Sequence, residues 1–202
     1  MTEKTQTREP QQKRSIEKKN KIIAIGFQLM CENGYQKTTT ADIAKLAGVS
    51  TGIIYSYFKD KRDIFICGLE AYAQKMLMPI YNRITPDLDI YSAINAIIDS
   101  LIEGHKVFQN GHKEIEALTM TDEVIASIML KTELQITTQL ELLLTQAGFA
   151  SEDLPEKTHI IYNLVESLCH EITFHQHENI NEVKMREIVI NTIIYLLGQP
   201  NK

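Results

Sequence analysis

The 202-residue chain lacks several features that would assign it to common classes of protein. It has no apolar run long enough to cross a membrane, and no charged segment followed by an apolar run as in a signal peptide. It also has no glycine-rich phosphate loop and no nucleophile motif. These absences lead us to expect a cytoplasmic protein that has no membrane partner and is not an enzyme.

Cysteine is also scarce. The three cysteines, Cys31, Cys67 and Cys169, lie far apart, each in an apolar helical context. An odd number of distant cysteines does not form a disulfide framework. The pattern predicts buried, reduced thiols, in agreement with a reducing compartment.

Strand patterns are absent too. Apolar residues recur at helical spacing over almost the whole chain, and no segment alternates as a half-buried strand does. The sequence therefore predicts an all-α fold. Beyond residue 60 we expect helices at about 61–84, 90–107, 113–118, 122–147, 155–177 and 181–197, with breaks at turn or capping residues such as Asn110-Gly111 and Gly148.

Charge divides the chain into two parts. Residues 1–62 hold 12 basic and 6 acidic residues, net +6, whereas residues 63–202 are net −11, although the overall pI is about 5.7. Attraction to phosphate depends on local charge, so the basic part is the candidate for DNA contact. We predict a disordered basic tail over 1–15, a DNA-binding domain over 16–62 and a larger helical domain over 63–202. The tail is either a solvated segment or an arm along the phosphates.

The segment 39–58 has the pattern of two short helices joined by a turn. Thr40 can begin the first helix, and Gly48 can leave it in a left-handed conformation that glycine adopts without strain. Ser50 can cap the second helix, in which Ile54 and Phe58 face inward. The outward residues suit a major groove, since small residues approach base edges closely and hydroxyls donate to phosphates. They are Thr51, Gly52, Tyr55, Ser56 and Tyr57.

Residues 18–65 resemble the N-terminal domain of the TetR family of bacterial transcriptional regulators, a resemblance that covers about the first third of the chain. The matching residues, in chain order, are Ala24, Phe27, Glu32-Asn33-Gly34-Tyr35, Thr39-Thr40, Ile43-Ala44, Ala47-Gly48-Val49-Ser50, Gly52, Tyr55, Tyr57-Phe58 and Lys61. Ile53-Ile54 stand where family members often carry Thr-Leu or a similar pair, and Ala41 stands where some relatives carry a long polar side chain. This chain is therefore expected to read fewer bases by hydrogen bonds.

The resemblance implies a three-helix DNA-binding domain with a helix-turn-helix, and a homodimeric regulator of double-stranded DNA. Most such regulators are repressors that a small-molecule effector releases from a palindromic operator, and a ligand-dependent activator of the same fold is the alternative. The resemblance assigns DNA contacts to Thr40, Tyr55 and Lys61 at phosphates, to Thr51, Gly52 and Ile53 at bases, and to Tyr57 on the same surface.

The last two long helices carry apolar residues on more than one side, so each needs cover on more than one side. They are either central core helices or helices covered by a second copy of the chain. The resemblance favours the second copy, because proteins of this family dimerise through a four-helix bundle of their last two large helices, here about 155–197.

An apolar ligand pocket is a further expectation for the larger domain. Tyr72, Met76, Met120 and Tyr162 are candidates to line it, although such residues are more often plain core. A purely structural helical module is disfavoured, because the basic charge is confined to the first third of the chain.

The histidines near residue 170 do not form a zinc-protease motif. H-E-x-x-H needs a second histidine at 174, where Phe174 stands, and His175 would lie about 140° around an α-helix from His170 at roughly 100° per residue. Glu166 and His170 share a face and either bind a ligand's polar group or a metal, or form a satisfied polar pair. No cofactor or metal is assigned, and a metal-dependent enzyme at His170 is the disfavoured alternative.

Overall fold

The computed structural model describes residues 13–81 and 89–198, which form nine α-helices and one π-helical turn without any β-strand. The all-α prediction is confirmed. No helix within these two ranges is long and apolar enough to cross a membrane. The elements are α1 (Lys13–Asn33), α2 (Thr40–Ala47), α3 (Thr51–Tyr57), α4 (Lys61–Tyr81), α5 (Ile90–Val107), α6 (Gln109–Thr119), α7 (Glu123–Gln146), α8 (Leu154–His170), the π-helical turn (Glu171–His175) and α9 (Glu182–Leu197).

Some predicted boundaries differ from the structure. Helix α1 begins at Lys13, so residues 13–15 are helical, and the Ser15 hydroxyl lies 2.7 Å from the phenol oxygen of Tyr57. The rest of the predicted tail, residues 1–12, and the predicted extension of the fourth helix past Tyr81 lie outside the described ranges. The break expected at Asn110-Gly111 is wrong. Gly111 is buried inside α6, because tertiary packing outweighs its local turn preference.

The chain forms two compact units. The first contains residues up to Ala73 together with Asn110–Ile128, and the second contains Gln74–Gln109 and the residues from Met129 onward. The predicted division at residues 62 and 63 concerns functional domains and stays a prediction.

The core of the first unit is formed by α1, α2, α3 and the first part of α4. The ring of Phe65 lies 5.2 Å from that of Phe27 and 5.5 Å from that of Tyr35, measured between centroids. Arg62 at the start of α4 donates two hydrogen bonds to the carboxylate of Asp122, at 2.6 and 2.7 Å. This bidentate pair holds the pKa of Asp122 at about 2 and links α4 to the segment before α7.

Helices α1 and α4 approach each other at two glycines. A Cβ on Gly26 of α1 would lie 2.6 Å from a methyl carbon of Ile64. A Cβ on Gly68 of α4 would lie 2.4 Å from the Cβ of Phe27. Real Cβ atoms do not come this close, so the two helices can pack at this distance only because both positions are glycine.

The second unit has its main core between α5, α8 and α9. Its fully buried residues include Ile98, Leu168 and Ile193. Cys169 belongs to this core and Cys31 to that of the first unit, and burial raises the pKa of both thiols to about 12. Cys67 is only half-buried, so the prediction of three buried thiols holds for two of them.

We predict that Gly68→Ala destabilises the protein. The new methyl group has to displace Phe27, which costs about 1–3 kcal/mol, whereas the higher helix propensity of alanine returns at most about 1 kcal/mol. Urea unfolding followed by circular dichroism measures the difference. The matched control is Gly104→Ala in α5, where a Cβ meets no atom within 4 Å and stability should stay equal or rise. Equal stability of the two variants would show that the α1–α4 contact tolerates a side chain.

Candidate nucleic-acid interface and ligand cavity

Helix α2 begins with a reciprocal cap. The Thr39 hydroxyl accepts from the backbone N–H of Asp42 at 3.2 Å, and the Asp42 carboxylate accepts from the backbone N–H of Thr39 at 2.9 Å. The Thr39 hydroxyl also donates to the Asp42 carboxylate, and this hydrogen bond, together with the one from the Thr39 backbone N–H, lowers the pKa of Asp42. Helix α2 therefore begins at Thr40 as predicted, but the capping hydroxyl belongs to Thr39 and not to Thr40, because the acidic residue three positions after Thr39 completes a capping box.

The turn and the second helix follow the sequence prediction. Gly48 has a φ of +69°, in the left-handed region. The Ser50 hydroxyl accepts from the backbone N–H of Ile53 at 3.3 Å and caps α3. Ile54 and Phe58 are buried, at 0% and 2% exposure. The predicted helix-turn-helix over 39–58 therefore forms, with its apolar face toward α1 and α4.

The outward face of α3 exposes small and hydroxyl side chains. Thr51, Gly52, Tyr55 and Ser56 are exposed, whereas Ile53 and Tyr57 are half-buried. The Tyr55 phenol oxygen lies 3.0 Å from the Thr40 hydroxyl, so α2 and α3 present two hydroxyl groups at one place. The Tyr57 phenol is instead engaged with Ser15.

Gly52 is not required by the fold. Its φ is not positive, and a Cβ at this position would meet only the Ser50 hydroxyl oxygen, at 3.8 Å. Alanine therefore fits here without strain. If glycine is needed at residue 52, the reason lies outside the chain itself.

Lys61 has a structural role that the sequence did not indicate. Its ammonium donates to the backbone carbonyls of Tyr35 at 2.6 Å and Thr38 at 3.0 Å, and it lies 4.4 Å from the centroid of the Tyr35 ring. A weaker hydrogen bond reaches the carbonyl of Gln36 at 3.4 Å. Lys61 thus ties the start of α4 to the turn between α1 and α2, and its contact with a phosphate stays a prediction.

The second unit contains an apolar cavity of about 80 Å³ between α5, α7, α8 and α9. Two of the predicted ligand-binding residues, Tyr162 and Glu166, line it. Tyr72 and Met120 do not. Tyr72 packs against Phe27 in the first unit, and Met120 is 84% exposed there. The helical spacing of apolar residues does not reveal which unit they pack in, and the side chain of Met76 lies outside the described set.

Three polar side chains meet beside this cavity. The Nε2 atom of His105 lies 3.4 Å from an Oε2 atom of Glu166, and the Nε2 atom of His170 lies 3.7 Å from the same oxygen. Burial alone lowers the pKa of His105, but its hydrogen bond and charge interaction with Glu166 outweigh this, so that pKa is raised. Sequence reasoning missed His105. The one signal was a histidine within an apolar helix, which does not identify its partner.

The end of α8 is a π-helical turn, where a continuous α-helix from 155 to 177 was predicted. The backbone N–H of Gln176 donates to the carbonyl of Glu171, five residues earlier, at 2.9 Å. Residues five apart therefore share a face, and the rings of His170 and His175 lie 6.2 Å apart. The prediction that these two imidazoles diverge is wrong, because it assumed α-helical geometry.

Glu171 closes this turn. Its carboxylate accepts from the backbone N–H of His177 at 2.7 Å and lies 2.7 Å from the Nδ1 atom of the same residue. These hydrogen bonds lower the pKa of Glu171, which is 5% exposed. Gln176 follows in the left-handed region with a φ of +49° and ends the helix.

Comparison with known proteins agrees with this geometry. Residues 22–66 match the sequence model of the family described as "Bacterial regulatory proteins, tetR family". The chain is 28% identical over 187 residues to the uncharacterized HTH-type transcriptional regulator YvdT of Bacillus subtilis, covering 87% of this chain and 93% of that protein. It is 42% identical over 48 residues to the HTH-type transcriptional regulator QacR of Staphylococcus aureus, covering 24% of this chain and 26% of QacR.

Solved structures show the same fold at low sequence identity. A TetR-family transcriptional regulator from Streptomyces coelicolor superposes with a TM-score of 0.73 at 12% identity, covering 90% of this chain and 80% of that one. GusR of Salmonella enterica superposes with a TM-score of 0.72 at 14% identity, covering 90% and 96%. The motif, the family match and the shared fold agree: residues 22–66 form a DNA-binding domain of the TetR family, and the chain is a DNA-binding transcriptional regulator.

Proposed function

We propose that this regulator is a homodimeric repressor that binds a palindromic operator and leaves it when a small apolar effector binds. The observation that carries the DNA part of the proposal is the exposed first turn of α3, whose glycine the fold does not require. An activator that uses the same contacts is the alternative. The sign of regulation does not follow from these contacts, because both would bind DNA through the same surface.

The proposed DNA contacts use the exposed part of the helix-turn-helix. Thr51 and Gly52 are small and stand in the first turn of α3, where base edges can come close, and Ile53 beside them offers an apolar contact to a thymine methyl group. The paired hydroxyls of Thr40 and Tyr55 lie where two donors can reach one phosphate. Tyr57 would support this surface through its contact with Ser15. The net charge of +6 over residues 1–62 supports attraction to the duplex.

The proposed dimer uses the outer faces of α8 and α9. Each of these helices buries one apolar face in its own unit and exposes other apolar side chains. Such two-sided helices are stable in water when a partner covers the second side. Association of α8 and α9 with their copies would form a four-helix bundle and repeat α3 on a two-fold axis. The exposed members are Ile160, Val183, Ile188 and Tyr195.

The cavity of the second unit is the proposed effector site. Its lining is apolar apart from Tyr162 and Glu166, so it fits a mainly apolar molecule with one polar group. Effector binding would favour a conformation in which the two copies of α3 no longer match the spacing of the operator half-sites.

Selection of bound fragments from genomic DNA of the source organism, at near-physiological salt, tests the proposal. We expect enrichment of a palindrome whose half-sites are about one helical turn apart, or a multiple of it. Enrichment of a single half-site would contradict the dimeric part of the proposal. Absence of any enrichment would contradict the assigned DNA surface.

Gly52→Ala separates DNA contact from folding. We expect unfolding stability to stay equal or to rise by up to about 1 kcal/mol, because alanine fits and favours a helix. Affinity for the selected operator should fall at least about tenfold, since the added methyl group keeps the helix from the base edges. Fluorescence anisotropy with labelled operator measures this, with Gly104→Ala as control. Unchanged affinity would remove Gly52 from the interface.

Lys61→Ala tests whether this lysine contacts a phosphate in addition to the turn before α2. Loss of a phosphate contact lowers the slope of log affinity against log salt by about 0.9 and weakens all sequences alike. Loss of the carbonyl contacts alone lowers the melting temperature and leaves the slope unchanged. We expect both changes. A lower melting temperature with the original slope would restrict Lys61 to its structural role.

Ile188→Glu should dissociate the dimer. Ile188 is 65% exposed on α9, and a carboxylate there would be buried without a partner in the proposed bundle. Light scattering coupled to gel filtration should show dimers for the natural chain and monomers for the variant. The control is Met120→Glu, which changes an apolar residue of the first unit that is even more exposed, at 84%, and should remain dimeric. A dimeric Ile188→Glu variant would place the interface elsewhere.

A further inference from the structure

The cluster of His105, Glu166 and His170 has the composition and spacing of a metal site. His105 lies on α5, and the other two residues lie one turn apart on α8, within the second unit. One potential ligand atom from each residue lies within 4.8 Å of the others. Two imidazoles and one carboxylate form a ligand set that divalent transition metals accept.

The hydrogen bond of His105 sets which of its ring nitrogens faces the cluster. Its Nδ1 atom lies 2.8 Å from the carbonyl oxygen of Leu101, which can only accept, so Nδ1 carries the proton. In the metal-free chain Nε2–H can donate to Glu166, and when a cation displaces that proton, Nε2 offers it a lone pair beside the carboxylate. A ring nitrogen held in this way by a backbone carbonyl is the usual arrangement of a histidine that binds a metal through its other nitrogen.

The distances fit an ion shared by the three residues. Ligand atoms about 2.0–2.1 Å from a tetrahedral zinc ion are separated from each other by about 3.4 Å. The two nitrogen-to-oxygen distances, 3.4 and 3.7 Å, lie near this separation. The centroids of the two imidazole rings are 5.7 Å apart at an angle of 63°, so the rings do not stack.

The surroundings would hold the ligands in place. His105 is 4% exposed, and the ring of Phe174 lies 6.2 Å from its ring and 5.3 Å from that of His170. Phe174 belongs to the π-helical turn, and such turns occur frequently at functional sites. Apolar side chains around a site exclude water and strengthen the binding of a cation to its ligands.

We propose that His105, Glu166 and His170 bind one divalent transition metal ion per chain, and that Zn²⁺ is the preferred ion. Imidazole ligands favour this class over Mg²⁺ and Ca²⁺, which prefer oxygen. Glu166 also lines the apolar cavity, so the ion would lie at the cavity's edge. The proposal does not depend on the assigned DNA contacts.

A second cluster, Glu171 with His175 and His177, is a weaker candidate. Both oxygen atoms of Glu171 already lie 2.7 Å from nitrogen atoms of His177. Both histidines are exposed, at 55% and 57%. The contacts with His177 explain Glu171 as the residue that closes the helix end, without a metal ion. The experiment includes a variant of this second cluster so that the two clusters can be distinguished.

Calorimetric titration of Zn²⁺ into the full chain, without a histidine tag and after treatment with a chelator, tests the proposal. We expect one ion per chain. His170→Gln and Glu166→Gln should each weaken binding by about 100-fold or more, because each removes a direct ligand. The melting temperature of the natural chain should rise with Zn²⁺, and that of the two variants should not.

Two control variants identify the site. His159→Gln removes another histidine that pairs with a carboxylate, Glu133 at 3.2 Å, on an exposed surface, and should leave Zn²⁺ affinity unchanged. His177→Gln tests the second cluster and should also leave it unchanged. Circular dichroism without metal verifies that each variant folds. If His170→Gln does not fold, Glu166→Gln alone tests the site. The proposal is overturned if the natural chain binds no Zn²⁺, or if affinity falls with His177→Gln and not with changes at Glu166 and His170.

Discussion

The arrangement of the DNA-binding helices depends on the close packing around Gly26 of α1. A Cβ there would lie 2.6 Å from Ile64 of α4 and 3.3 Å from Ile43 of α2. Helices α1, α2 and α4 therefore come together at a position that has room only for glycine. Gly68 repeats the contact from α4 toward Phe27. Helix α3 is too short to hold its own position and depends on Ile54 and Phe58, which pack into the core that these contacts define. The orientation of the exposed face of α3 therefore follows from how closely α1 and α4 approach.

Local chemistry made the helix-turn-helix predictable from the sequence. A glycine with positive φ and a serine that accepts from the next turn act within a few residues, so Gly48 and Ser50 could be assigned without a structure. The cap of α2 was placed one residue late, since three consecutive threonines offer the same hydroxyl. The reciprocal hydrogen bonds between Thr39 and Asp42 identify Thr39, and not Thr40, as the capping residue.

Long-range features could not be predicted in the same way. His105 precedes Glu166 by several helices, and nothing in the local pattern connects them. The π-helical turn also escaped prediction, because a single extra residue in a helical turn leaves the apolar spacing almost unchanged while it rotates the following side chains. Tyr72 and Met120 have the composition of pocket residues, but their surroundings are set by the unit in which their helices pack.

The burial of the thiols has a consequence for chemical sensitivity. Thiolates, not thiols, react with peroxides and alkylating reagents. With pKa values of about 12, Cys31 and Cys169 remain almost wholly protonated at neutral pH, and burial also raises the pKa of Cys67. Cys31 and Cys169 are therefore poor targets for oxidants while the chain is folded.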